Sequence, residues 1–172
     1  MAYPKPEKTL FQTDLTETAT TDIEGAGAVR KDVDGNVYRW VLNSHSAALT
    51  VGNVPNYDGA DRTQVILPVT TAAKGGIYNT AGAVMASSLA SGSYGWIQCK
   101  GAATVSVKQD SIALTVLSHL LAPQSGAAVL IAGAAVAASA ANGIQPAFPM
   151  TSLASTGTAA TTTIAANIDF RM

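Results

Sequence analysis

The sequence predicts a mainly β fold, a β-sandwich or barrel-like domain with an extended N-terminal arm. Three observations point there. Between Ile23 and Leu121 short apolar runs alternate with turn signals: GAGAV, DGN, Asn43-Ser44, Gly52-Asn53-Val54-Pro55-Asn56, Tyr57-Asp58-Gly59, Lys74-Gly75-Gly76 and Ser91-Gly92. Turns at that spacing belong to many short strands rather than to long helices. The composition agrees, because 48% of the chain is hydrophobic but only 6% of it aromatic, and the bulk comes from Ala and Val beside Thr, Ser and Gly. The third observation is the start of the chain, where residues 1–22 carry Pro4, Pro6 and the run TDLTETATTD with no amphipathic period. A segment of that kind has no apolar face to bury and orders on a partner instead. At 172 residues the rest is one domain, 23–172, of a size that supports a core.

Within the arm, Leu10, Phe11 and Leu15 are the apolar anchors available for contact with a partner or a neighbouring subunit. The first element of the domain proper is KDVDGNVYRWVLN, Lys31 to Asn43. Its D-x-D-G-N invites comparison with a calcium loop of the EF-hand type, which needs oxygen ligands at positions one, three and five, Gly at six and Glu at twelve. Asp32, Asp34 and Asn36 would supply the first three, but Val37 stands at the sixth position and Asn43 at the twelfth. Asp-Gly or Gly-Asn instead supplies the positive φ angles of a tight hairpin turn. The strand that follows puts Val37, Arg39 and Val41 on one face and Tyr38, Trp40 and Leu42 on the other, with the second face buried. A similar run, Tyr94 to Lys100, followed by Gly101-Ala-Ala and then Thr104 to Lys108, reads as a second hairpin. Tyr38, Trp40 and Trp96 are therefore the expected aromatic anchors of the core. Val65 to Thr71 is strand-like on both sides of Pro68, which confines it to an edge or a bulge. Residues 113–121 fit a strand or a helical turn equally.

The Ala/Gly/Thr-rich C-terminal third carries only Asp169 and Arg171 as charged side chains after Asp110. Such a charge-poor surface is expected to be covered by another subunit. Its last twelve residues, Thr161 to Met172, read as a strand that closes a sheet edge or is shared across an interface. The apolar segment 126–141 is short of the roughly 20 residues a bilayer needs and is mostly Ala and Gly, so no membrane span is expected.

Chemistry is sparse. Ten basic against eleven acidic residues give a net charge of −1 with no Lys/Arg-dense segment, which argues against nucleic acid as a partner. Cys99 is the only cysteine, excluding an intramolecular disulfide and a multi-thiolate zinc site. His45 and His119 stand alone without metal-ligand or catalytic spacing, and Cys99 alternates with Ile97 as a small wall residue. Asp58 and Asp61, with Asn56, fit solvated turn residues better than a cation site. No nucleophile elbow, phosphate loop or dinucleotide fingerprint occurs. The expectation is a protein that is not an enzyme and needs no cofactor or metal. The proline-interrupted N-terminus is not a secretory signal, so synthesis and retention in a cytoplasm are expected.

The elements Asp14-Leu15-Thr16, DGNVYRW, Ala47 to Gly52, Gly95-Trp96-Ile97-Gln98 and the closing Phe170-Arg171-Met172, taken in this order, resemble the capsid decoration (cement) and head-associated structural proteins of tailed bacteriophages. The resemblance implies a virion protein made in the bacterial cytoplasm. It would form a homo-oligomer, a trimer, on the capsid exterior and lock neighbouring major capsid protein subunits. The alternative is a tail- or fibre-associated receptor- or sugar-binding β-module, for which Trp40, Trp96, Tyr57 and Tyr94 would offer stacking platforms.

Overall fold

The computed structural model describes residues 11–67, 80–109, 122–123, 130–132, 147–149 and 160–169. Regular structure among them is strand throughout, so the fold is mainly β as the turn spacing implied. In chain order the strands are β1 Thr18–Ala19, β2 Val29–Lys31, β3 Val37–Asn43, β4 Leu49–Thr50, β5 Asn56–Tyr57, β6 Gln64–Ile66 and β7 Ala83–Val84. They continue with β8 Ser88–Leu89, β9 Tyr94–Gln109, β10 Ala122–Pro123, β11 Leu130–Ala132, β12 Ala147–Pro149 and β13 Ala160–Asp169. All belong to one eleven-stranded sheet except β4 and β8, which pair with each other. Among the described residues both sheets are open.

β9 organises the large sheet. Its first half pairs antiparallel with β3, from Val37 opposite Lys100 to Leu42 opposite Tyr94, and also meets β1 and β7. Its second half pairs antiparallel with β13, from Asp169 opposite Lys100 to Ala160 opposite Gln109, and parallel with β11. The expected hairpin over residues 94–108 is therefore corrected: this is one sixteen-residue strand. Gly101 does adopt a positive φ, 104°, but uses it to let the strand pass Asn36. A Cβ there would fall on the Asn36 side chain and come 3.2 Å from its Cα. The glycine relieves a close approach where the strand changes partner and a bulge interrupts the β3 register between Val37 and Tyr38. Gln98 braces the same point, its Nε2 donating to the carbonyls of Lys100 at 3.2 Å and Ala102 at 2.9 Å.

β2 and β3 form the expected hairpin, with Lys31 opposite Val37. The connection is longer than the two-residue turn read from the sequence. The Asp32 carboxylate spans the loop, accepting from the Asp34 and Asn36 N–H groups through Oδ1 and from Asn36 Nδ2 and Tyr38 Oη through Oδ2. Those bonds, led by the one from the Asn36 side chain, hold its carboxyl below the usual carboxylate range. The residue that resembled a first calcium ligand is thus the internal brace of a turn.

Burial on β3 departs from simple alternation. Tyr38 and Trp40 are buried with Trp96 on one face, while Val41 is equally buried on the other with Leu49, Tyr57, Val65, Val84, Leu89, Ile97 and Cys99. The central pair β3–β9 is covered on both sides, so the expectation of one open face is corrected. The second cover is built from β4 to β8, and Asn43 ties it down, its Nδ2 donating to the carbonyls of Ala47 and Leu89. β6 ends at Ile66, before Pro68, and lies between β3 and β5. Pro68 and the residues after it in the run to Thr71 lie outside the described residues. Leu10, Lys74 to Gly76, His119, the undecided segment 113–121, most of 126–141 and residues 170–172 lie outside the described residues.

Candidate functional site

Three places collect the side chains with functional potential. The first is the tryptophan layer. Trp40 and Trp96 are cross-strand partners with ring centroids 5.3 Å apart at 61°. Tyr94 stacks on Trp40 at 6.3 Å and Phe11 meets Trp96 edge-on at 5.3 Å. Buried indoles need acceptors for their N–H groups, and both come from the first twenty-two residues. Trp40 Nε1 donates to Asp22 Oδ1 at 3.0 Å and Trp96 Nε1 to Thr13 Oγ1 at 2.9 Å. Asp22 also accepts from the N–H groups of Gly25 and Ala26. The buried Glu24 carboxylate fixes Thr13 in turn: Oε1 accepts from Thr13 N, Thr13 Oγ1 and Gln12 N at 2.7, 2.7 and 2.6 Å. Arg30 lies over the Phe11 ring and donates to the Thr13 carbonyl. Burial, helped by the bond to Asp32, pushes the Tyr38 phenol up to about 12.

From residue 11 onward, then, the segment read as an arm is laid on its own domain. Phe11 and Leu15, expected to reach a partner, pack on the tryptophan pair. The physical reason is that polar residues do the anchoring, through Thr13, Asp22 and Glu24, where the sequence reading searched for apolar periodicity alone.

The second place is the ribbon formed by the far half of β9 and β13. Ala103, Val105 and Val107 face inward with Ile164, Ala166 and Ile168, packing on Val54 and Ala83. The opposite row is exposed: Ala102 and Thr104 on β9 beside Asn167 and Ala165 on β13, with Thr163 beyond them. Lys100 and Asp169, 3.5 Å apart and both largely exposed, close one end of the row. Between that pair and Thr163 the row has no charged side chain.

The third place lies on the aliphatic side of β3. Cys99 is fully buried, its Sγ 3.8 Å from Tyr57 Oη. Burial pushes its thiol up, against weaker opposing hydrogen bonds from Tyr57 and Arg39, and also pushes the Tyr57 phenol up. A neutral, enclosed thiol is a wall residue and a poor nucleophile. Arg39 and Arg62 each place their guanidinium carbon 5.9 Å from the Tyr57 ring centroid. Asp58 and Asp61 behave as turn residues, accepting from Ser44 Oγ and Thr63 Oγ1, and the His45 N–H donates to Asn43 Oδ1. Among the described residues no three His, Cys, Asp or Glu side chains converge as metal ligands, and no helix is long and apolar enough to cross a membrane.

Sequence reasoning had singled out Tyr57 and the tryptophans but neither Arg39 nor Glu24. Arg39 sat on a face taken as solvated, and Glu24 belonged to no motif. Compared with protein-family models, curated proteins and solved structures, the chain matches none.

Proposed function

We propose that the protein is a virion structural protein that decorates a bacteriophage capsid, adding to the assembled shell as a homotrimer and bridging neighbouring major capsid protein subunits. The observation that carries this reading is the β9–β13 ribbon, whose exposed row of Ala102, Thr104, Ala165, Asn167 and Thr163 is small-sided and uncharged. A row of that kind loses little side-chain entropy and little charge solvation when another protein covers it. Its β13 side, Thr163, Ala165 and Asn167, belongs to the charge-poor C-terminal third of the chain that the sequence marks as wanting a partner. The resemblance of its short elements, in their order, to those of decoration proteins supports a major capsid protein as that partner and the capsid exterior as the site of action.

The sugar-binding alternative depends on exposed aromatic platforms. Trp40 and Trp96 are fully buried, Tyr57 nearly so, and Tyr94 is stacked on Trp40, which favours the capsid reading.

The test is co-sedimentation of the purified protein with empty capsids of the phage whose genome encodes it. Saturable binding at a fixed copy number per capsid, with a raised capsid disruption temperature, is the expected result. Absence of the protein from purified virions, together with no binding at micromolar concentration, refutes the proposal. Light scattering of the free protein tests the trimer separately.

A further inference from the structure

Of the groupings that the capsid reading does not use, the two arginines around Tyr57 carry the furthest argument. Arg39 lies in the centre of the β3 strand, opposite Ile97, and Arg62 in the turn before β6. Both guanidinium groups sit 5.9 Å from one ring centroid, which keeps the two positive charges within twice that distance of each other. Both act on the same neighbours through space, favouring the ionised forms of Tyr57 and of Cys99 against the dominant, opposite effect of burial.

Among the described residues neither Arg39 nor Arg62 makes an ion pair. The carboxylates nearest Arg62 in the chain, Asp58 and Asp61, accept hydrogen bonds from Ser44 and Thr63 instead. Arg39 Nε is buried without a hydrogen-bond partner, so part of the desolvation cost of this cation is already incurred in the free protein. Arg62 is the one non-glycine residue with positive φ among those described, at 57°. That conformation is unfavourable for a long side chain, and it is the conformation that carries Arg62 to the ring opposite a residue from another strand. Strain, two unpaired cations and a partly dehydrated guanidinium coincide at one aromatic ring.

We propose that Arg39 and Arg62 form a binding site for an oxyanion, the carboxylate or phosphate group of a ligand, with Tyr57 holding both guanidinium planes in place. Arg39 and Arg62 are each partly exposed, and the N–H donors of a guanidinium match the two oxygens of a carboxylate or phosphate edge. The cation–π contact of each guanidinium with the Tyr57 ring restrains both side chains beforehand, so less rotamer freedom is lost on binding. The site is independent of the capsid reading and stands or falls without it.

The full-length protein is titrated with inorganic phosphate in one arm and with acetate in another, against sodium chloride at matched ionic strength. The readouts are the Arg Nε–H resonances in a ¹H–¹⁵N spectrum and the melting temperature. Saturable shifts of the Arg39 and Arg62 resonances beyond those in chloride, with a rise in melting temperature, are expected. A response to phosphate alone identifies a phosphate ligand, and one to acetate as well identifies a carboxylate. In Arg62→Gln, whose substitution lies in a turn, affinity falls about tenfold, as expected for loss of one charge-assisted pair; Arg62→Lys recovers only part of it because the fork is gone. Responses equal to those in chloride in both arms, or an undiminished phosphate response in Arg62→Gln, overturn the proposal. Should Arg39→Gln fold poorly, the Arg62 variants decide alone.

Discussion

Replacing Glu24 by Ala tests whether residues 11–24 belong to the folded core. Glu24 Oε1 receives three donors, and the two from Thr13 are buried, since Thr13 is 3% exposed. In the variant the Thr13 N–H loses its acceptor in a place that water does not reach, which costs about 1–3 kcal/mol. The Thr13 hydroxyl can re-aim, losing about 1 kcal/mol, while the N–H of exposed Gln12 turns to solvent at little cost. The sum is about 3 kcal/mol, and for a chain of this length each kcal/mol shifts the melting temperature by roughly 2–4 °C, giving a fall of about 6–12 °C. Glu24→Gln keeps an acceptor but loses its charge and should fall by about a third as much. Glu17→Ala, on an exposed residue of the same segment, should stay within about 0.5 kcal/mol. Melting followed by tryptophan fluorescence is the assay, because Thr13 also accepts from Trp96. A Glu24→Ala protein that melts within 1–2 °C of the parent, with unshifted emission, would refute the idea that this carboxylate seats the segment on the tryptophans.

Gly101→Ala forces a Cβ onto Asn36 and a β-carbon into a left-handed backbone, and should cost about 3 kcal/mol in urea unfolding; Gly35→Ala, whose added Cβ meets nothing, separates the backbone strain from the collision. Asp169→Ala removes an exposed ion pair with Lys100 and should leave stability within about 0.5 kcal/mol, so a larger loss would mean that the end of β13 depends on it. Cys99, Tyr57 and Tyr38 all have folded pKa values raised chiefly by burial above their ordinary 9.0, 10.0 and 10.0. Their contribution is fully present below pH 9 and is lost as pH rises from the ordinary values through the raised folded ones. Melting temperature should therefore be level to pH 9 and fall above it, less steeply in Tyr57→Phe, and an unchanged slope in that variant would assign the loss elsewhere.

The β class and the first hairpin were legible because Asp-Gly-Asn and the β-branched and aromatic residues after it speak locally. Gly101 was misread for the same reason. Gly-Ala-Ala after an aromatic strand looks like a turn, and whether a positive φ reverses a chain or lets it slip past a neighbour depends on Asn36, sixty-five positions away. Arg39 suggested a solvated face, yet its guanidinium lies 5.9 Å from the centre of the Tyr57 ring, a contact between strands that no periodicity reports. Thr13, Asp22 and Glu24 look like parts of an unanchored polar tail until the indole N–H groups they satisfy are placed beside them. Propensity and alternation describe neighbours in sequence, and the tryptophan layer is made of hydrogen bonds spanning up to 83 positions.

The partner change along β9 sets a schedule for synthesis. While the chain emerges, the first half of β9 meets partners already made, at residues 18–19, 37–42 and 83–84. Its second half waits for residues 130–132 and 160–169. Until those residues leave the ribosome, Ala103, Val105 and Val107 stand on a half-paired strand, the type of edge that recruits other chains. A ribosome stalled between residues 110 and 160 would hold out an adhesive strand. Unless fully made chains released by the ribosome are quick to dock β13, newly synthesised protein at high concentration would meet that edge in trans before it met its own last strand.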